Sequence, residues 1–151
     1  MKDFFLIIAG YASTFNHLDK AGDLVLSGAF KEINKPIKLL YGHRNNLELG
    51  ELLTLKEDDY GLYLEGVIFC HEPWQRSLVR KIIKKEIVGL SVGILVQEAE
   101  VLEGFNNIIK ADLQEISITS QPVNGNCRID FGQIFMVGDS GLEPPTSTMS
   151  R

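Results

Sequence analysis

A serine flanked by glycines stands in the segment 87–94, Ile-Val-Gly-Leu-Ser-Val-Gly-Ile. Serine is a poor nucleophile unless a neighbouring base takes its proton, so Ser91 needs a partner. His43 is the candidate base, because imidazole titrates close to neutral pH. Glu115 is the candidate acid that orients the imidazole, and Asp112 is the alternative. These residue types on separate apolar segments are typical of covalent acyl-transfer catalysis.

Each candidate also has a purely structural interpretation. Ser91 either lies on a sharp helix-to-strand turn next to Gly89, or is a small residue within a buried strand. His43 is alternatively a structural histidine at the end of a strand. Glu115 is alternatively a solvated strand carboxylate. The sequence by itself leaves these alternatives open.

The remaining histidines and cysteines offer weaker chemistry. His17 and His71 compete with His43 for the role of the base. His17 lies in a polar turn and is expected to be exposed, and His71 directly precedes a predicted helix. A catalytic pair of Cys70 and His71 is disfavoured, because adjacent strand residues point to opposite faces. A metal site that combines the histidines with Asp19 lacks the ligand spacing of known metal motifs. We therefore expect neither a metal nor a cofactor.

Length and charge limit the class of protein. With 151 residues and 44% hydrophobic content, the chain predicts one soluble domain with its own core. Twenty acidic residues against 15 basic ones, a net charge of −5, argue against a nucleic-acid partner. No apolar run is long enough to span a bilayer or resembles a signal peptide, so no membrane partner is expected. Two cysteines form no disulfide framework, which favours the reducing cytoplasm.

Alternating apolar residues predict many short strands and one clear helix. The first strand is predicted over 4–9, closed by Gly10. His43 is expected to share the face of an apolar row in a strand over 37–43. The helix is predicted to begin at Pro73 and to stop at Gly89. Further strands are predicted at 50–55 and 61–69 as a hairpin, and at 90–96, 108–119 and 128–137.

This pattern predicts a mostly β protein, barrel-like or a sandwich, with peripheral α-helices. In the strand 108–119, Ile116 and Ile118 are expected on one face, and Glu115 and Ser117 on the other. After residue 137 the periodicity disappears. We therefore divide the chain into a folded domain, 1–137, and a disordered C-terminal tail, 138–151.

Four motifs in the same order and register suggest a family. The chain resembles the prohead (capsid maturation) serine proteases of tailed phages over roughly residues 5–130. The motifs are Gly10-Tyr11-Ala12-Ser13 leading through Gly22-Asp23 to Ser27-Gly28-Ala29-Phe30, then Leu39-Leu40-Tyr41-Gly42-His43 with Gly50, then Gly89-Leu90-Ser91-Val92-Gly93, and finally Glu115-Ile116-Ser117-Ile118-Thr119-Ser120-Gln121-Pro122-Val123-Asn124.

The resemblance implies roles for individual residues. His43 would be the catalytic base, Ser91 the nucleophile and Glu115 the third member. It also implies a fold similar to the herpesvirus assemblins, a closed or partly closed β-barrel surrounded by helices.

The resemblance also implies partners and a location. The substrate would be the major capsid protein or a scaffold protein, cleaved in the host cytoplasm inside the immature procapsid. A homodimer is a further expectation. The alternative function is a catalytically inactive β-barrel that binds capsid or scaffold protein.

Overall fold

A computed structural model describes residues 4–138, 141–142 and 147–150 of the chain. Within these residues it contains ten β-strands and one α-helix. In chain order they are β1 (Phe4–Thr14), β2 (Asp23–Val25), β3 (Lys38–Tyr41), β4 (Arg44–Glu57), β5 (Gly61–Phe69), α1 (Pro73–Ile83), β6 (Gly89–Leu102), β7 (Phe105–Thr119), β8 (Ile129–Gly138), β9 (Gly141–Leu142) and β10 (Ser147–Ser150). The prediction of a mostly β protein is confirmed, although the described part contains a single helix where several were expected.

The strands form one large sheet in the order β10-β8-β1-β5-β4-β3-β7-β2. β6 pairs with β7 outside this path, and β9 pairs with β8. β7 runs parallel to β2 and β3 and antiparallel to β6. β7 therefore pairs with both β3 and β6 and sets their positions relative to each other.

The start of β6 and the segment leading into β8 belong to different parts of the sheet and approach each other. An isolated bridge joins Gly89 to Arg128, and the Leu90 amide donates to the carbonyl of Cys127 at 2.9 Å. Strand pairing does not continue around the sheet in the part of the chain that is described, so a closed barrel is not confirmed.

The core lies inside the sheet and is built from aliphatic side chains. These residues come from strands distant in sequence and from α1, and burying them is the main favourable contribution to folding. Fully buried members include Leu6, Ile8, Leu39, Leu49, Leu62, Leu64, Ile68, Ile82, Leu90 and Ile116.

The first strand is longer than the sequence predicts. β1 continues through Gly10 to Thr14, with a register shift between Tyr11 and Ser13. A side chain at Gly10 would meet the Arg128 carbonyl oxygen at 2.2 Å. Gly10 therefore permits the close approach of the chain leading into β8, and does not end the strand.

Helix α1 begins at Pro73, as predicted, since proline suits the first helical position. The Gln75 side chain accepts from the Glu72 amide at 2.9 Å, which satisfies one of the free donors at the helix start. The predicted stop at Gly89 is wrong. The helix ends at Ile83, and Lys85 adopts the left-handed conformation with φ of 62°. α1, the single helix in the described part, is not long and apolar enough to cross a membrane.

The end of the chain is described only in part. Of the predicted disordered tail, the structure describes Gly138, β9 and β10, and both of these short strands pair with β8. Residues 139–140, 143–146 and 151 lie outside the described residues. The domain boundary at residue 137 stays a prediction.

Candidate active site

The pairing of β6 with β7 places the candidate residues on one face. Ser91 lies opposite Ser117, and Gly93 lies opposite Glu115. Directly opposed residues of an antiparallel pair project to the same side. Ser91 is 5% exposed and Ser117 is fully buried, so the two hydroxyl groups lie in a protected environment. The predicted split of β7 into an apolar face and a face with Glu115 and Ser117 is confirmed.

The Glu115 carboxylate contacts two partners at once. One oxygen, Oε1, accepts from the Nδ1 atom of His43. The other, Oε2, accepts from the Ser117 hydroxyl at 2.7 Å. The carboxylate side chain is 14% exposed and the imidazole 41%, so the acid is shielded while the ring remains accessible. A carboxylate held at Nδ1 leaves Nε2 available as a proton acceptor.

His43 reaches this position through a turn and not along a strand. β3 ends at Tyr41, and Gly42 and His43 both have positive φ, 59° and 61°. The Gly42 amide donates to the Ile118 carbonyl at 3.0 Å, and the His43 amide donates to the Ser117 hydroxyl oxygen at 2.9 Å. The expectation that His43 alternates with the apolar row is therefore wrong, because the extended backbone ends before it.

Ser91 and His43 lie on either side of Ser117. Ser91 is its partner across the β6–β7 pair, and His43 is bonded to its hydroxyl. Among the described residues the structure shows no hydrogen bond between Ser91 and His43. Such contacts are often long in a protein without substrate and tighten when it binds. Ser91 also lies within regular strand β6, so the sharp-turn interpretation is wrong.

A cavity of about 140 Å³ opens beside Ser91. Its walls come from the end of β1, the segment after it, β2, β6 and the segment 123–127. This places a small, mostly apolar space next to the candidate nucleophile. Lining residues include Ala12, Val25, Leu90, Val92, Ile94 and, among polar ones, Thr14, His17 and Asn124.

The alternative orienting acid lies elsewhere. Asp112 accepts from the Gln114 side chain at 2.6 Å and is 3.6 Å from the Lys35 ammonium. Glu115, and not Asp112, contacts His43. The alternative base His71 stacks on Phe69 with ring centroids 5.8 Å apart.

Both cysteines are buried and free. Burial raises the pKa of Cys70 to about 12 and that of Cys127 to about 11, so neither thiol is poised as a nucleophile. Across the described ranges, no group of three or more His, Cys, Asp and Glu side chains is arranged to hold a metal ion.

Ser117 is the site residue that sequence reasoning missed. It stood in the motif that carries Glu115 and was placed on the same face, two residues further along β7. Its spacing was therefore a usable signal. The hydrogen bond to the His43 amide was not predictable, because it depends on a turn 74 residues away in the sequence.

A mostly β fold with a buried serine near a carboxylate-bound histidine has the side-chain types of a serine hydrolase. The chain belongs to the caudovirus prohead serine protease family, whose family model matches residues 1–136. It is 32% identical over 128 residues to the prohead protease of Enterobacteria phage HK97. That match covers 78% of this chain and 56% of the phage protein, so the chain spans about half the length of this curated relative.

A solved herpesvirus protease shares the fold. The KSHV protease in complex with a hexapeptide phosphonate inhibitor is 13% identical, with a TM-score of 0.53 over 87% of this chain and 64% of that one. The varicella-zoster virus protease is 15% identical, with a TM-score of 0.44 over 72% and 57%. The match to the KSHV protease confirms the expected likeness to the herpesvirus protease fold.

Proposed function

We propose that this protein is a serine endopeptidase of capsid maturation, with Ser91 as nucleophile, His43 as general base and Glu115 as the acid that orients His43. The observation that carries the proposal is the contact between Glu115 and Nδ1 of His43 beside the Ser117–Ser91 pair. Membership of the prohead protease family supports the same reading.

The proposed chemistry follows from which imidazole nitrogen is occupied. With Nδ1–H held by Glu115, Nε2 takes the proton of the Ser91 hydroxyl as its oxygen attacks the peptide carbonyl. The carboxylate stabilises the imidazolium that forms. Nε2 then gives the proton to the leaving amine, and the acyl group stays on Ser91 until water hydrolyses it. Backbone amides are the candidate oxyanion donors, each worth about 10²–10³ in rate.

The proposed substrate is a major capsid protein or a scaffold protein, cleaved inside the immature procapsid in the host cytoplasm. The names of the family and of the phage relative support this assignment. The cavity of about 140 Å³ beside Ser91 would accept one side chain of an extended substrate segment. A homodimer remains a separate prediction.

Co-expression with the capsid and scaffold proteins of the same phage element tests the proposal. We expect cleavage by the parent chain and a loss of about 10⁴-fold or more in Ser91→Ala and His43→Ala. Ser77→Ala, an exposed substitution on α1, is the control and should cleave like the parent. If Ser91→Ala cleaves at the parental rate, the peptidase mechanism is wrong. Binding of the capsid protein without cleavage by the parent would instead favour the non-catalytic module.

A further inference from the structure

One hydroxyl group joins the two residues proposed to activate Ser91. The Ser117 oxygen accepts from the backbone amide of His43 at 2.9 Å, and its hydroxyl proton is donated to Oε2 of Glu115 at 2.7 Å. Ser117 is fully buried. Both hydrogen-bonding capacities of the hydroxyl are thus used on the same candidate pair.

The position of Ser117 in the sheet explains how it reaches both partners. It lies on β7 between Leu40 of β3, on one side, and Ser91 of β6, on the other. The chain turns out of β3 directly after Tyr41, which brings the His43 amide over Ser117. Glu115 lies two residues earlier on the same strand, so its side chain projects from the same face.

The bond to the His43 amide supports an unusual backbone conformation. His43 has a positive φ of 61°, which is uncommon for a residue with a side chain. Loss of the acceptor would leave the part-buried His43 amide without this hydrogen bond, so the bond favours the turn that aims the imidazole. The bond to Oε2 fixes the carboxylate from its far side and leaves Oε1 directed at Nδ1.

We infer that Ser117 is a positioning residue that holds both the His43 turn and the Glu115 carboxylate in the arrangement needed for proton transfer. This inference rests on the proposed peptidase function. Ser117 need not touch the substrate, so its loss should lower kcat and leave KM nearly unchanged.

Ser117→Ala removes both hydrogen bonds and is the main test. We expect kcat to fall about 10- to 100-fold, the range for losing a hydrogen bond to a charged group. The downfield NMR signal of the His43 Nδ1 proton should shift or broaden. Thr119→Ala is the matched control. It also removes a hydroxyl group from β7, but this hydroxyl accepts from the Gln121 amide and does not contact His43 or Glu115. It should change neither kcat nor the signal.

Two further variants separate positioning from packing. Ser117→Thr retains the hydroxyl and should recover most of the lost kcat and the parental Nδ1 signal. Ser117→Cys fills nearly the same space with a weak donor, and it serves if the alanine variant does not fold. It should show the loss of kcat and the changed signal.

The inference is overturned if the folded alanine or cysteine variant keeps the parental kcat and Nδ1 signal. It is also overturned if Ser117→Thr folds and is as impaired as Ser117→Ala in both readouts. A failure of the peptidase proposal looks different, because Ser91→Ala would then cleave at the parental rate. The Nδ1 signal still tests the positioning role in that case, because it does not depend on cleavage.

Discussion

Gly93 provides the space that the Glu115 side chain occupies. It lies opposite Glu115 in the β6–β7 pair, and a Cβ atom there would meet Oε1 at 2.2 Å and Cδ at 2.9 Å. Oε1 is the oxygen that contacts His43. Gly93→Ala therefore changes the position of the proposed orienting carboxylate without replacing any of the three candidate catalytic residues.

The size of the effect follows from the distances. Ordinary contact begins at 3.4 Å, so Oε1 must move by about 1.2 Å from 2.2 Å. A misplacement of about 1 Å can cost about 10²-fold in rate, or about 2.7 kcal/mol. Oε1 is the free end of a flexible side chain, so the backbone need not move. The gain from replacing a strand glycine is about 0.4–1 kcal/mol, and we expect the free energy of unfolding to change by about 1 kcal/mol or less.

Steady-state cleavage measured beside denaturant unfolding tests this prediction. Gly66→Ala is the matched control, since Gly66 also lies within a strand and its added Cβ has no contact closer than 3.3 Å. It should retain the parental kcat. Gly93→Ala should lower kcat about 10²-fold in the parent. In a Glu115→Ala background it should cause little additional loss of kcat, because the displaced carboxylate is already absent. Equal losses in both backgrounds would refute the steric argument.

Three further predictions concern groups outside this contact. Asp112→Asn should keep full cleavage activity, because this carboxylate bonds to neighbouring surface side chains. Cys70 and Cys127 should resist a thiol reagent at neutral pH until the protein is unfolded, because burial raises both pKa values. The hydrogen bond to Asp58 raises the pKa of Tyr11 from 10.0 to about 12, so its stabilising contribution is present below pH 10 and is lost towards pH 12. Tyr11→Phe should therefore reduce the decline in the free energy of unfolding over that range.

Each of these has a clear opposing result. A large loss of cleavage in folded Asp112→Asn would return that residue to the orienting role. Rapid labelling of Cys127 in the native protein would show that its surroundings are open. An unchanged alkaline decline in Tyr11→Phe would show that the phenol contributes nothing to it, with Tyr63, whose pKa burial also raises, as the other candidate.

Local alternation predicted the part of the site that lies on regular strands. The period of two in β7 placed Glu115 and Ser117 together, away from Ile116 and Ile118, and the structure agrees. Helix α1 likewise began at Pro73 because the proline and the apolar spacing act within one turn. Such features depend on neighbours in the sequence, so a single sequence contains them.

The predictions that were wrong concern places where the backbone departs from regular structure. Strand alternation predicted that His43 lies on the apolar face. The positive φ values of Gly42 and His43 instead turn the chain, so the imidazole points elsewhere. The glycine before the histidine was the available signal for a turn. Which strand receives the turn is a long-range question, and the bond to Ser117 depends on it.

Long-range pairing also determines how the sheet closes. The bridge between Gly89 and Arg128 connects segments whose patterns predict strands but not partners. A period-two pattern predicts which face of a strand is buried, but it does not predict which strand lies beside it. The pattern therefore left a barrel and a sandwich both open, and a closed barrel is not confirmed in the described part of the chain.

Peptide mapping of a phosphonate adduct tests the central claim most directly. The parent, shown to cleave its capsid or scaffold substrate in the same preparation, is treated with a serine-directed phosphonate and analysed by mass spectrometry. We predict a single covalent adduct on Ser91 that disappears in His43→Ala. An adduct on another residue, or inhibited cleavage with Ser91 unmodified, would contradict it.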